Sequence, residues 1–190
     1  MLKNAFTKLA VIAAVGALSQ AAMAADGTVN FTGEITDSIC SVAPESVNMT
    51  VPLGKVSKNA FPAVGTGSTA AKFTINLRDC PAGTNKAKVT FSGAGVPGNI
   101  AAAEGLLKVN NSGSTVEAAK GVGIEIGDAN GLKIPLGAAS SEYILGAGDN
   151  NLKFQARYVS FFPVTPTAPS TDALTAGPAD GTAQFSIAYN

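Results

Sequence analysis

The side chains that could carry out chemistry are few in this 190-residue chain, and histidine, the most versatile of them, is absent. Without an imidazole the chain cannot build a Ser-His-Asp or Cys-His site, or a metal site with histidine ligands. Carboxylates are the remaining general acids, and those nearest to the strand patterns are Glu34, Asp37, Asp79, Glu125 and Asp128. A glycosidase-like carboxylate pair is the remaining catalytic alternative, but no motif supports it. We therefore expect a protein that is not an enzyme and has no metal or cofactor site.

The first 24 residues have the pattern of an export signal. Lys3 and Lys8 precede an apolar run over residues 9–18. Ala22 and Ala24 supply the small residues that a signal peptidase recognises. Ten apolar residues are too few for a membrane span, which needs about 20 in a helix, and a buried core helix is the alternative interpretation. The sequence thus predicts a signal peptide over residues 1–24 and a soluble exported protein.

Cys40 and Cys80 are the only cysteines, so in an oxidising compartment the one possible intramolecular disulfide joins them. Closing a loop of about 40 residues stabilises a domain by roughly 4 kcal/mol on the chain-entropy model. A redox role needs a Cys-x-x-Cys pair or a thiol of low pKa, and the spacing indicates neither. We expect a structural disulfide.

Composition narrows the class of protein further. Removing the signal, with its Lys3 and Lys8, leaves eleven basic residues of the thirteen against thirteen acidic ones, a net charge near −2. That balance gives no indication of a nucleic-acid partner, and no motif indicates a small-molecule substrate. The remaining 166 residues, 190 less the signal's 24, are enough for one domain with a core of its own.

Short runs of period-two alternation recur between turn residues, which is typical of an all-β sandwich or barrel. The predicted strands cover residues 28–35, 47–53, 72–77, 88–91, 122–126, 132–136, 152–159 and 182–190. Asn130-Gly131 predicts a tight hairpin turn, since Asn-Gly supplies the two positive-φ positions that such a turn requires. Residues 163–169 are too rich in proline for the centre of a sheet, so we expect an exposed loop there.

Both ends of the exported chain carry an apolar strand pattern. Residues 28–35 alternate apolar and polar side chains before the first cysteine, and two aromatics and an isoleucine stand in the last six residues. Chain termini are usually frayed and polar, so these side chains need a cover. We interpret the two ends as halves of one contact; the alternative is that residues 28–35 form an edge strand of their own domain.

Several motifs then carry a resemblance to a known family. They are residues 27–35 before Cys40, the pair Asp79-Cys80, residues 123–128, residues 154–158, and a terminal motif with Gly177 fourteenth from the end and Tyr189 penultimate. Together they resemble the subunits of chaperone-usher pili, and among these the major rod pilin of type 1-like fimbriae. The resemblance covers essentially the whole exported chain. It departs from the family pattern at residues 161–178, a long Pro-rich insertion whose Phe161 and Phe162 either pack on the end of the sandwich or line a contact between turns of a rod.

The resemblance implies an incomplete immunoglobulin-like sandwich, the pilin fold, which lacks its seventh strand and has a hydrophobic groove beside the C-terminal strand. The chain would divide into a signal peptide (1–24), an N-terminal donor-strand extension (25–38) and a pilin domain (39–190). Donor-strand complementation of pilins is a known form of strand addition, and here a neighbour's extension would fill the groove. The implied residues are the donor strand Val29, Phe31, Gly33 and Ile35, and the acceptor groove and assembly motif Gly177, Phe185, Ile187 and Tyr189.

The implied partners are identical subunits in a head-to-tail polymer, a periplasmic pilus chaperone, an outer-membrane usher, and minor and tip pilins. The implied location is the extracellular fimbrium, reached through the periplasm, where the rod displays an adhesin for cell adhesion. A minor adaptor pilin is the alternative within this class. A self-contained secreted binding module is the alternative outside it, but a tip adhesin's additional receptor-binding domain would not fit in 166 residues.

Overall fold

The structure, a computed structural model, describes residues 29–32, 39–166, 168 and 170–190. The predicted signal peptide, and Gly33 and Ile35 of the predicted donor strand, lie outside the described residues. The strands of the described residues all lie in the unit that begins at residue 36. In the described part of the chain, no helix is long and apolar enough to cross a membrane.

Two antiparallel sheets make up the described residues from 39 onwards, as the all-β prediction requires. The strands are β1 (Ser41–Val42), β2 (Ala71–Cys80), β3 (Lys86–Gly93), β4 (Leu107–Lys108), β5 (Val122–Asp128), β6 (Tyr143–Ile144), β7 (Gly148–Ser160) and β8 (Ala183–Tyr189). One sheet has the order β1-β2-β7-β5-β4 and the other β6-β3-β8. The helical elements are a single turn, α1 (Pro44–Val47), and two 3₁₀ turns, Lys58–Ala60 and Ala101–Ala103.

The core lies between the inner faces of the two sheets. Alternate residues of the central strands point inward, so that Ile75 in β2, Leu152 in β7 and Val89 in β3 are fully buried. Phe154 is packed edge-on against Phe91 of the opposite sheet, with ring centroids 5.1 Å apart. This contact across the sandwich couples the two sheets through aromatic packing.

The predicted disulfide joins Cys40, just before β1, to Cys80 at the end of β2, and both cysteines are buried. The bond therefore fixes the chain at residue 40 to a long central strand. Asp79, beside the bond, has a positive φ of 55°, and the β2–β7 register shifts between Leu77 and Cys80.

The hairpin after β5 forms, but by a different turn from the one predicted. Gly131 has a φ of +88°, whereas Asn130 is not among the positive-φ residues, so the prediction of two such positions was wrong. The carboxylate of Asp128 instead accepts hydrogen bonds from the N–H groups of Asn130 (2.8 Å) and Leu132 (2.9 Å). This side-chain cap closes a three-residue loop with a glycine in the left-handed position. Residues 132–136 return beside β5 through a single bridge, Gly127 to Lys133, rather than as the predicted strand.

The aromatic pair of the insertion packs on its own domain. Phe161 is buried in a small cluster with Ala103 and Leu106, and its ring centroid lies 4.9 Å from that of Phe162. Phe161 is therefore a buried residue of its own domain, and Phe162 is half-buried beside it. The described residues among 163–169 contain no strand, in agreement with the predicted loop.

Candidate functional site: an open groove between the two sheets

The last strand of the chain has a neighbour on one side only. β8 pairs with β3 in the register Phe91 to Phe185 and Val89 to Ile187, and it stands at the end of the order β6-β3-β8. An edge strand presents every second N–H and C=O group outward without a partner. Seven residues of β8 therefore offer a free edge within the described structure.

A second free edge faces β8. Residues 49–56 form no backbone hydrogen bond with any other described residue, and they belong to no strand. The burial of their side chains nevertheless alternates, because Met49, Val51 and Leu53 are half-buried while the residues between them are exposed. The sequence prediction of a strand over 47–53 was thus wrong for its hydrogen bonding, and Val47 ends α1 instead. Its period-two pattern is present without a partner strand.

Two adjoining cavities form one groove, which begins between these edges and continues beyond the start of β8. The first, of about 570 Å³, lies between residues 49–54 and 179–185, and its floor includes the core side chains Phe73, Ile75 and Ile126. The second, of about 840 Å³, continues between residues 54–59 and 174–180. The interior of the sandwich is therefore accessible along one side.

Tyr158 lies where the two cavities meet and lines both of them. Its hydroxyl donates a hydrogen bond of 2.8 Å to the carbonyl oxygen of Ala179. Burial, with a smaller contribution from the nearby charge of Asp180, raises the pKa of the Tyr158 phenol. The phenol thus remains protonated and holds residue 179 against the floor of the groove.

The inward side chains of β8 are only partly covered. Phe185, Ile187 and Tyr189 are half-buried, and the alternate residues are exposed. Their cross-strand partners in β3, which are Phe91, Val89 and Ala87, are by contrast all buried. Apolar side chains that belong to the core thus keep one face open, which is unfavourable in water. The Tyr189 hydroxyl donates a hydrogen bond of 3.4 Å to the carbonyl oxygen of Cys40, so this end of β8 lies next to the disulfide.

Gly177 lies at the second cavity, against the backbone of a neighbouring segment. A Cβ atom built on it would meet the carbonyl oxygen of Glu117, and would lie 2.7 Å from the amide nitrogen of Ala119. The N–H of Ala119 donates a hydrogen bond of 2.8 Å to the carbonyl oxygen of Pro178. Only glycine allows this approach, which fixes residues 174–180 as one wall of the groove.

Of the four predicted acceptor residues, Gly177 lines the second cavity and Phe185 the first. Ile187 and Tyr189 continue the half-buried face of β8 beyond the residues that line either cavity. Of the predicted donor strand, Val29 and Phe31 are described, and their side chains are 74% and 92% exposed. Sequence reasoning did not assign Tyr158 or the opposite wall, residues 49–59, to the groove. The alternation of Met49, Val51 and Leu53 was the available signal. In the described residues no group of acidic, histidine or cysteine side chains could hold a metal ion.

Known proteins that are similar to this chain fall into one group by sequence and by structure. Residues 29–190 match the family model described as "Fimbrial protein". The chain is 40% identical over 182 residues to a type-1 fimbrial protein subunit of Serratia marcescens, covering 92% of this chain and 93% of that protein. It is 34% identical over 190 residues to long polar fimbria protein A of Salmonella typhimurium, covering 100% and 98%. The crystal structure of the P pilus rod subunit matches with a TM-score of 0.60 at 21% identity, over 80% of this chain and 100% of that one.

Proposed function

The chain belongs to the fimbrial protein family, and we propose that it polymerises by donor-strand exchange into the rod of a fimbria. It is a structural subunit of the extracellular fimbrium and not an enzyme, and other subunits are its partners. In the proposed polymer, residues 25–38 of one subunit insert into the groove of the next. The rod then displays an adhesin at its tip.

The observation that carries this proposal is the pair of unpaired backbone edges that face each other across an apolar groove. One extended strand between them could hydrogen-bond to β8 on one side and to residues 49–56 on the other. It would also cover the half-buried faces of Phe185 and Ile187. Strand addition of this kind combines main-chain hydrogen bonds with pockets for alternate side chains.

Residues 28–35 have the composition that such an insertion needs. Val29, Phe31 and Ile35 share one face, and Gly33 between them would lie where the groove admits no side chain. Burying the three apolar side chains contributes roughly 5–9 kcal/mol as an upper estimate. A joint of that strength would open slowly, as a rod requires.

The same groove accounts for the proposed assembly partners. A periplasmic chaperone would lend a strand to the groove while the subunit awaits assembly, and an outer-membrane usher would be the place where the next subunit's extension replaces that strand. Minor and tip pilins would join through the same contact. The alternating apolar pattern at residues 28–35 is what a donor strand needs. It therefore favours the major rod subunit over a minor adaptor pilin. A self-contained binding module would not need an open core.

Two charged substitutions separate a subunit's role as strand donor from its role as strand acceptor. Phe31→Asp should leave a chain that accepts a strand but cannot donate one, and Ile187→Asp a chain that donates but cannot accept. Each variant alone should stay unpolymerised on size-exclusion chromatography, and a mixture should form capped pairs rather than long polymers. The matched controls Asn30→Asp and Ala188→Asp place the same charge on exposed neighbours and should polymerise as the parent does. Polymerisation of the Phe31→Asp chain alone, or a mixture that does not pair, would contradict the proposal.

A further inference from the structure

The second cavity of the groove carries a net positive charge. Lys55 and Lys58 line one side of it, and Asp180 on the other side is the one acidic residue in its lining. Neither lysine forms an ion pair with another described residue. Two lysines and one aspartate leave one positive charge uncompensated, so a carboxylate entering the cavity would neutralise it.

The predicted donor segment supplies carboxylates and no cation. Residues 25–38 contain Asp26, Glu34 and Asp37 but neither lysine nor arginine. The period-two pattern that places Val29 and Ile35 towards the groove also places Asp37 towards it, because successive side chains of a strand point to opposite faces. In the inserted strand Glu34 would point to the other face. Asp37 is therefore the acidic residue that the donor would direct into the groove.

A donor strand that begins beside the end of β8 would bring Asp37 to the junction of the two cavities. A strand covers about 27 Å from Val29 to Asp37, at about 3.4 Å per residue. In an antiparallel pair with Val29 beside Tyr189, the same number of residues along the acceptor leads from Tyr189 to Gly181. Gly181 lines the first cavity, and its neighbour Asp180 lines both, so Asp37 would lie where the two cavities meet, at the end of the second cavity where Lys55 lies. A donor strand of the opposite direction would bring the end that carries Asp26 there instead.

We propose that Asp37 of an incoming copy binds Lys55 and Lys58 in the second cavity, and that this contact fixes the register of the inserted strand. The inference rests on the proposed donor-strand exchange. A register slip of one residue would turn the apolar side chains away from the groove, but a slip of two would keep them facing it. That slip would move Asp37 by about 7 Å from the lysines. The ion pairs thus discriminate between registers that the apolar side chains distinguish poorly.

The test uses the full chain with Phe31→Asp, which keeps its groove but does not donate, and a fluorescent peptide of residues 25–39. At low ionic strength the peptide with Asp37→Asn should bind about two- to fivefold more weakly than the parent peptide. On an acceptor that also carries Lys55→Gln and Lys58→Gln, the two peptides should bind equally. Raising the ionic strength from about 0.01 M to about 1 M shortens the Debye length from roughly 30 Å to 3 Å, and should remove the difference between the peptides.

Two matched controls separate this contact from a general effect of charge. Glu34→Gln in the peptide, and Lys153→Gln on an exposed part of β7 in the acceptor, should each leave the affinity ratio unchanged. Equal binding of the parent and Asp37→Asn peptides, or a loss that persists on the acceptor without the two lysines, would overturn the inference while leaving strand insertion intact. Failure of the parent peptide to bind at any ionic strength would overturn the proposed function itself.

Discussion

Replacing Gly177 with alanine tests the wall of the groove through one added methyl group. The backbone at this residue is not in the positive-φ region, so alanine meets no conformational strain there. Its Cβ would collide with the carbonyl oxygen of Glu117 and lie within 2.9 Å of the Ala118 carbonyl carbon. These contacts are backbone atoms that cannot move aside like the end of a flexible side chain. Overpacking of this kind costs about 1–3 kcal/mol, so we expect the free energy of unfolding to fall by that amount.

The assay is reversible urea unfolding of the chain with Phe31→Asp, in which polymerisation does not contribute to the measured stability. Gly83→Ala is the matched control, because an added Cβ meets nothing within 4 Å and the φ there is not positive. It should raise the free energy of unfolding by about 0.4–1 kcal/mol, through the lower entropy of the unfolded chain. If Gly177→Ala were as stabilising as Gly83→Ala, the close approach of residues 174–180 to residues 117–119 would be refuted.

Three further predictions concern the fold that holds the groove. Joint replacement of Cys40 and Cys80 by serine should lower the free energy of unfolding by roughly 4 kcal/mol, measured by urea midpoint, and an unchanged midpoint would contradict the structural role of the disulfide. Burial, then the charge of Asp128, raises the pKa of Tyr143 from its ordinary 10.0 to about 12. The folded chain therefore retains a proton that the unfolded chain loses, so stability should be complete below about pH 10 and fall as the pH rises to about 12. Tyr143→Phe should reduce this alkaline fall, and an identical pH profile would refute the assignment. Phe161→Ala should cost about 3–5 kcal/mol of stability, yet the folded variant should form polymers of parental length; shortened polymers would place Phe161 in a contact between subunits.

The strand pattern was predictable where the partner strand is present. Residues 72–77 and 152–159 alternate in sequence, and in the structure they pair across β2 and β7 with Ile75 opposite Leu152. Residues 49–53 alternate just as clearly, but no described strand offers them hydrogen bonds. The period-two pattern of a sequence indicates which side chains point inward. A ladder of backbone hydrogen bonds also requires a second strand. The predicted strand over 47–53 was therefore right about faces and wrong about pairing.

Local chemistry that depends on a particular side chain was harder to predict. Asn130-Gly131 was assigned a turn with two positive-φ residues, but the Asp128 carboxylate caps the N–H groups of Asn130 and Leu132 and selects a different loop. Tyr158 likewise had no sequence signal as a groove residue, because its role depends on the carbonyl of Ala179, 21 residues away. Sequence indicated the apolar face of the last strand, while tertiary contacts determine how the groove is divided and where its charges lie.

The most direct test of an incomplete fold is to supply the missing strand. The exported chain would be refolded without a chaperone, and its thermal stability and size distribution compared with and without an excess of the peptide of residues 25–39. We expect a large rise in the unfolding temperature and a loss of self-association, because the peptide would cover Phe185, Ile187 and Tyr189 and pair with both free edges. A stable monomer that is unchanged by the peptide would show that the domain is already complete, and would contradict polymerisation by strand exchange.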